Sequence, residues 1–156
     1  MHIRQALPTD SLLLSSLCRD VQRLHAEHHP AIFKMPQSDD FAVTFFDEMI
    51  VDITIRIFIA EENGRAIGYI FCKLFERPEN LFNYANRFLQ IEHISVHPDA
   101  QGHGAGAALL QRVEELAREL GVIKLQLNSW AFNAKAHTFF ESFGFEKIEH
   151  RFWRNL

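Results

Sequence analysis

The stretch Gln101-Gly102-His103-Gly104-Ala105-Gly106 sets glycines at alternate positions directly before the amphipathic run ALLQRVEELAREL. Glycine puts no side chain between an anion and the backbone. The first N–H groups of the helix that follows have no intrahelical acceptor and carry the positive end of its dipole. Together these features bind a phosphate or pyrophosphate without any cationic side chain. Read literally, Gly102-x-Gly104-x-x-Ala107 also fits the dinucleotide pattern G-x-G-x-x-G/A. That pattern needs an acid about 20 residues on, to hold the ribose hydroxyls. Gly121-Val-Ile-Lys-Leu-Gln-Leu-Asn128 supplies none. The strand before the loop, LQIEHISV, carries Gln90, Glu92 and His93, whereas a central parallel strand is almost continuously apolar. No Lys-Ser/Thr follows the glycines, so a nucleotide-hydrolase P-loop is excluded as well.

Two other groups of residues could carry chemistry. Regular alternation along LQIEHISV places Gln90, Glu92 and Ile94 on one side and His93 on the other, unless a bulge intervenes. His25 and His29, i and i+4 on a helix with His28 and Glu27 between them, have a legitimate metal-ligand spacing. No third-ligand pattern accompanies them, and with 9 histidines in the chain such pairs arise by chance. No metal is assigned.

The elements that must position these residues follow from periodicity and turn chemistry. HIRQAL reads as a first strand, and Thr9 or Asp10 as the N-cap of a helix through about His28. Leu13, Leu17, Val21 and Leu24 mark that helix's buried face. A second helix is expected over Asp39–Val51, with Phe41, Phe45 or Phe46, and Met49 inward. Two β-rich runs around Asn63-Gly64 read as a hairpin. A polar connection over 76–87 leads to a strand at Phe88–His97, then a helix at Gly104–Leu120 closed by Gly121. A strand at Val122–Trp130, a short helix at Asn133–Ser142 and a last strand at Phe145–Trp153 complete the order β-α-α-β-β-β-α-β-α-β. One mixed sheet with helices on both faces is the expected α/β architecture.

Composition bounds the function. The chain has 156 residues, 47% of them hydrophobic, and reads as a single domain over 1–156. Its 15 phenylalanines point first to an aromatic core and second to an aromatic-walled pocket. A net charge of −4 removes the basic face of a nucleic-acid binder. Two cysteines, no signal-peptide core and no long apolar run predict a cytoplasmic protein without a membrane partner.

Two motifs in order resemble the GNAT superfamily of acetyl-CoA-dependent N-acetyltransferases. The first is Ile94-Ser-Val96-His-Pro98 followed by Gln101-Gly-His-Gly-Ala-Gly106. The second is Asn133-Ala-Lys-Ala136-His-Thr-Phe139-Phe140-Glu141-Ser-Phe-Gly144-Phe145. The IRQAL opening and the Asn63-Gly64 hairpin with Ile67-Gly68-Tyr69 fit too, while residues 25–55 and 76–87 fit least. The resemblance implies a single, mostly antiparallel sheet of six to seven strands, splayed between two central parallel strands to admit the cofactor. It implies that the backbones of Ile94 and Val96 pair with the pantetheine arm. Gln101, Gly102, His103, Gly104, Ala105 and Gly106 would cradle the pyrophosphate, with Asn133 touching the arm from the other side.

The implied reaction is attack of a primary amine on the thioester, with acetyl-CoA as co-substrate. A lysine-like amine is only about one part in 10³ free base at pH 7, so a positioned base or a water relay helps. The resemblance points the Glu92 side chain into the acceptor site, as base or as anchor of a relay water. Asn128 stands where some relatives carry a catalytic glutamate; an amide cannot take the proton, although it can orient water. At Phe140 relatives usually have a tyrosine beside the sulfur, and a phenyl ring offers no proton there. A thiol pKa near 8.5 makes the thiolate a tolerable leaving group, and water, Ser129 or His137 remain open as acids. A homodimer fits the resemblance, with Phe152-Trp153 as a contributor. The second reading is a non-catalytic acyl-CoA-binding or sensing module.

Overall fold

Asn63 and Gly64 take φ values of 51° and 76°, the conformation a two-residue hairpin turn demands. They join β2 (Ile55–Glu62) to β3 (Arg65–Arg77) in the computed structural model, which describes residues 1–156. β1 (His2–Gln5) pairs antiparallel with β2, and β4 (Asn86–Val96) pairs antiparallel with β3. β5 (Leu125–Leu127) lies parallel to β4, giving one five-stranded sheet in the order β1-β2-β3-β4-β5.

Strand alternation sends the two faces of the sheet into different layers. On one face Phe58, Ile70, Leu89 and Ile91 pack against Leu109, Leu110 and Val113 of α3 (Ala105–Glu119). On the other, Ile57, Ile59, Tyr69 and Phe71 meet Leu14 and Cys18 of α1 (Ser11–His28) and Phe46 of α2 (Val43–Val51). Each fully buried aliphatic side chain contributes about 1.5–3 kcal/mol by leaving water. α4 (Ala134–Ser142) follows β5 and sets Phe139 against the α3 layer.

Four expectations are corrected. The sheet has five strands rather than six or seven, because Phe145–Trp153 forms no strand. The last backbone donor to find a partner is Phe145 N–H, on the Phe140 carbonyl at 3.1 Å. A strand exists only by pairing, and this segment pairs with none. β5 is accordingly an edge strand, so the parallel pair is not central. α2 begins at Val43 rather than Asp39, since Ser38 bonds Asp40 and Asp39 pairs with Arg19 in the preceding turn. Asp10 stands at the N-cap of α1 without capping it. Its carboxylate takes two bonds from Arg4, at 2.6 and 3.0 Å, and one from Leu7 N–H at 2.7 Å. The guanidinium holds that carboxyl below its usual range.

Candidate active site

The sheet opens at one place. β4 and β5 pair from Leu89↔Leu125 to Ile91↔Leu127, and no further. β4 nevertheless runs on to Val96, still paired on its other edge with β3 as far as Gly68↔Val96. From Glu92 to Val96 the strand therefore turns main-chain groups that no strand pairs toward the side β5 has left. Ile94 and Val96 point their side chains into the α3 layer, so the backbone itself faces the gap. Beyond Leu127 the chain turns away, with Asn133 N–H closing on the Trp130 carbonyl at 2.9 Å.

The bare edge ends at the glycine loop. Gly102 and Gly104 have φ of 82° and 86°, and nothing lies within 4 Å of where a Cβ would stand. Gly104 caps α3, and the first helical bond runs from Ala108 N–H to its carbonyl at 3.0 Å. The N–H groups of Gly102 to Ala107 donate to no protein acceptor. The loop thus combines open space, unpaired donors and a helix N-terminus, features that favour an anion. Ala105 is buried in the core and fixes the loop's floor, while His103 stays exposed. Gln101 donates through Nε2 to the Val96 carbonyl at 3.1 Å, tying loop to strand. Lys135, at the start of α4, hydrogen-bonds the Gln101 side chain and brings one cation to the rim.

Between the opening and the core, β4 carries a bulge. Phe71 pairs with His93 and Cys72 with Ile91, leaving Glu92 as the extra residue. The regular alternation expected for Gln90, Glu92 and Ile94 is thereby broken: Ile94 faces the α3 layer, whereas His93 packs among Phe45, Phe71 and Tyr69 on the α1–α2 face. Glu92 is exposed at the kink. Partial burial raises its carboxyl pKa, with the Lys73 ammonium opposing. His93 Nδ1 and the fully buried Tyr69 hydroxyl share a hydrogen bond of 3.1 Å. Burial pushes the imidazole down to about 4, helped by the charge of His25, so the ring is neutral near pH 7. No pattern in the sequence announced this pair, because the bulge that aims His93 leaves no mark on residue type.

The end of α1 and the β5–α4 connection meet in a cluster of rings. His28 stacks on Phe132 with centroids 4.0 Å apart, and His29 packs on Trp130 at 4.8 Å and Trp153 at 5.5 Å. Phe33 joins His25 at 5.0 Å and Trp130 at 5.2 Å. His25 Nδ1 is held by the Val21 carbonyl at 2.7 Å and His28 Nδ1 by that of Leu24 at 2.9 Å. A recess of ≈ 580 Å³ beside Phe33 is lined by Ala26, Ile32 and Met35.

The remaining expected residues divide between structural and open positions. Asn133 spends its side-chain oxygen capping α4 at Ala136 N–H, 3.2 Å away, which leaves its amide donors. Asn128 and Ser129 are exposed just past β5, where the sheet opens. Phe140 is buried against Phe139 and Phe145, so a ring fills the position without any hydroxyl.

The model of the Acetyltransferase (GNAT) family matches residues 19–145. The chain belongs to this family. Its relatives include a Bacillus subtilis protein named Uncharacterized N-acetyltransferase YhfO, 28% identical over 94% of this chain and 91% of that one. A second is the Uncharacterized N-acetyltransferase MJ1207 of Methanocaldococcus jannaschii, 31% identical over 59% of this chain, a match spanning only 39% of that longer protein. Among solved structures, a tetramutant of the BH1408 protein from Bacillus halodurans superposes over 100% of both chains with a TM-score of 0.94 at 18% identity. An aminoglycoside acetyltransferase from an uncultured soil metagenome, in complex with sisomicin, gives 0.69 at 15% identity over 99% and 95% of the two chains. At those identities the structures show the fold. As a GNAT protein the chain is an acyltransferase, and the family uses acetyl-CoA as co-substrate.

Proposed function

We propose that residues 1–156 act as one N-acetyltransferase domain that moves an acetyl group from acetyl-CoA to a primary amine. The observation that carries this reading is the edge of β4 from Glu92 to Val96 that β5 leaves unpaired, running into a loop of unpaired N–H groups. An extended amide-bearing arm adds to such an edge as a strand would. Ile94 and Val96 would bind it through their main chains, while the loop from Gln101 to Gly106 takes the diphosphate. Asn133 has its side-chain NH₂ free to meet the arm opposite β4.

In the reaction the amine nitrogen bonds the acetyl carbon, the carbon–sulfur bond breaks, and the electron pair leaves on sulfur as thiolate. The ammonium proton must go first, at a cost of roughly 4–5 kcal/mol at pH 7. Glu92, exposed at the kink with its pKa raised, would take that proton directly or through a water that Asn128 orients. Phe140 offers the sulfur no proton, so solvent protonates the departing thiolate and also receives the second proton that the nitrogen sheds as the amide forms. Imidazole and indole faces at the end of α1 suit a cationic acceptor. Two buried, free cysteines accord with a cytoplasmic setting.

The test is acetyl-CoA-dependent release of free thiol across a panel of primary amines, with calorimetric titration of acetyl-CoA alongside. Turnover with at least one amine is expected. Tight acetyl-CoA binding with no turnover on any amine would replace this reading by an acyl-CoA sensor.

A further inference from the structure

Rings gather where the sheet opens. The pairing of β5 stops one residue short of Glu92, at Ile91↔Leu127, and Trp130 and Phe132 follow directly on the chain. The end of α1 meets them with His25 and His28, which pack on Phe132. His25 also acts through its charge on His93, the neighbour of Glu92. Phe33 touches both His25 and Trp130 and in turn lines the recess of ≈ 580 Å³. A continuous line of groups thus leads from Glu92 past His93 and His25 to the recess. Phe33, Trp130 and Phe132 are only half-buried, so their rings remain open to a guest.

The turn after α1 that forms the recess spends its own polar groups. The N–H groups of Ile32 and Phe33 both donate to the His29 carbonyl, at 2.9 and 3.0 Å. The Lys34 carbonyl accepts from Gln22 Nε2 at 2.7 Å, and the Met35 carbonyl from Gln37 Nε2 at 3.0 Å. What is left to face a guest is chiefly Ala26, Ile32, Phe33 and Met35. No carboxylate lines the recess, and its one charged side chain, Lys34, is itself a cation. Small-molecule sites are about 300–1,000 Å³ in volume and mostly apolar, with few polar groups. A guest rich in hydroxyls would leave them unpaired here, at roughly 5- to 150-fold in affinity for each group buried. A second ammonium would meet Lys34 and find no counter-charge.

We infer that the acceptor is a primary amine with a single positive charge and an aromatic body. Its nitrogen lies at Glu92, its linker crosses the rings of His25, Phe33 and Trp130, and its body enters the recess beside Met35. The fate of the nitrogen rests on the acetyl-transfer reading above, whereas the choice of body rests on the recess. Aromatic faces favour the ammonium as it passes. The nitrogen then yields one proton to Glu92 before attack and the second to solvent as the amide forms. Each turnover gives one N-acetyl arylalkylamine and one free CoA thiol. Polyamines and aminoglycosides, which carry several ammoniums, are the classes this site rejects.

The test compares 4-phenylbutylamine with n-butylamine, spermidine and an aminoglycoside, by acetyl-CoA-dependent thiol release from the full chain. The phenyl group is expected to raise kcat/KM by about 100-fold or more over n-butylamine. Spermidine or the aminoglycoside outrunning 4-phenylbutylamine would overturn the inference and leave acetyl transfer standing, as would a phenyl group that gains nothing. Trp130→Ala is expected to lower the ratio of the first two amines at least about tenfold; an unchanged ratio removes the rings from recognition. Met35, 44% exposed, can be changed without disturbing the core. Met35→Glu is expected to raise spermidine turnover and lower that of 4-phenylbutylamine, a gain that misfolding cannot imitate. If no amine turns over, acetyl transfer fails, and calorimetry of 4-phenylbutylamine against the CoA-saturated protein decides the rest. Binding that Trp130→Ala weakens upholds the aromatic site, and absence of binding overturns it.

Discussion

The two sides of β4 build their halves of the proposed site from different materials. Toward α3 the packing is almost wholly aliphatic, and what reaches the opening is backbone: the edge from Glu92 to Val96 and the N–H groups of the glycine loop. Toward α1 and α2 the working atoms belong to side chains. Tyr69 bonds His93, Ser95 Oγ donates to the Leu17 carbonyl at 2.9 Å, and Ser15 Oγ accepts from Ala42 N–H at 3.0 Å. Backbone donors can present themselves to any ligand that fits their spacing, so that half suits a shared co-substrate. Side-chain groups change with single substitutions, so the other half suits an acceptor that differs from one relative to the next.

The sharpest way to break this division is at Glu92, which sits where the two sides join. Glu92→Gln is expected to lower kcat by about 10²-fold or more without moving the acetyl-CoA Kd. Because burial raises its carboxyl pKa, activity of the parent protein should rise with pH through a limb above the usual carboxylate range. That limb should vanish in the variant, and a variant that turns over normally removes Glu92 from the chemistry. Gly104→Val comes next. A β-branched residue at φ 86° costs roughly 1–3 kcal/mol, or about 5- to 150-fold in acetyl-CoA affinity, if the strain is relieved by opening the loop. Calorimetry should show that loss while the acceptor KM stays put.

His93 gives a smaller, pH-dependent effect on the acceptor side. Its folded pKa of about 4 lies below the 6.5 of an unfolded imidazole, so the unfolded state binds the extra proton between them. Stability is therefore whole above pH 6.5 and declines as pH falls toward 4, by at most about 1.4 kcal/mol per unit. Urea melts across that window should show the slope, and His93→Gln should flatten it. Asp10, whose carboxyl is depressed by Arg4, acts at lower pH, where protonation begins to cost its ion pair. Tyr69→Phe is the mildest change, with a loss of about 1 kcal/mol as His93 Nδ1 loses its partner. An unchanged melting curve would mean the bond contributes nothing to stability.

The contrast between the two sides also explains what the sequence disclosed. The glycine loop was legible because φ near 85° leaves a residue-type mark, and so was the hairpin at Asn63-Gly64. The helix that starts after Asn133 was legible through the spacing to Phe145, although the capping bond from Asn133 to Ala136 was not foreseen. The Tyr69–His93 pair stayed hidden because one extra residue at Glu92 reversed the facing of everything after it, and Glu, His and Ile fit either register. Lys135 was hidden because it meets Gln101 only once α4 has folded back over the loop. The segment 145–153 misled in the opposite sense: its residues favour a strand, but a strand exists only where it is paired, and this segment pairs with none.

One consequence of the glycine loop concerns the protein's exposure to its own reagent. A protein that holds an activated acetyl group is itself covered in nucleophiles, and a phosphate site made of lysines would put amines permanently beside the thioester's carrier. The donors from Gly102 to Ala107 are peptide nitrogens, which neither titrate nor react with thioesters. Lys135 stands at the rim, and its ammonium is engaged by Gln101. If the loop takes the diphosphate as proposed, a cradle built from the main chain would not be silenced by acylation, and its attraction for phosphate would not fade as pH rises.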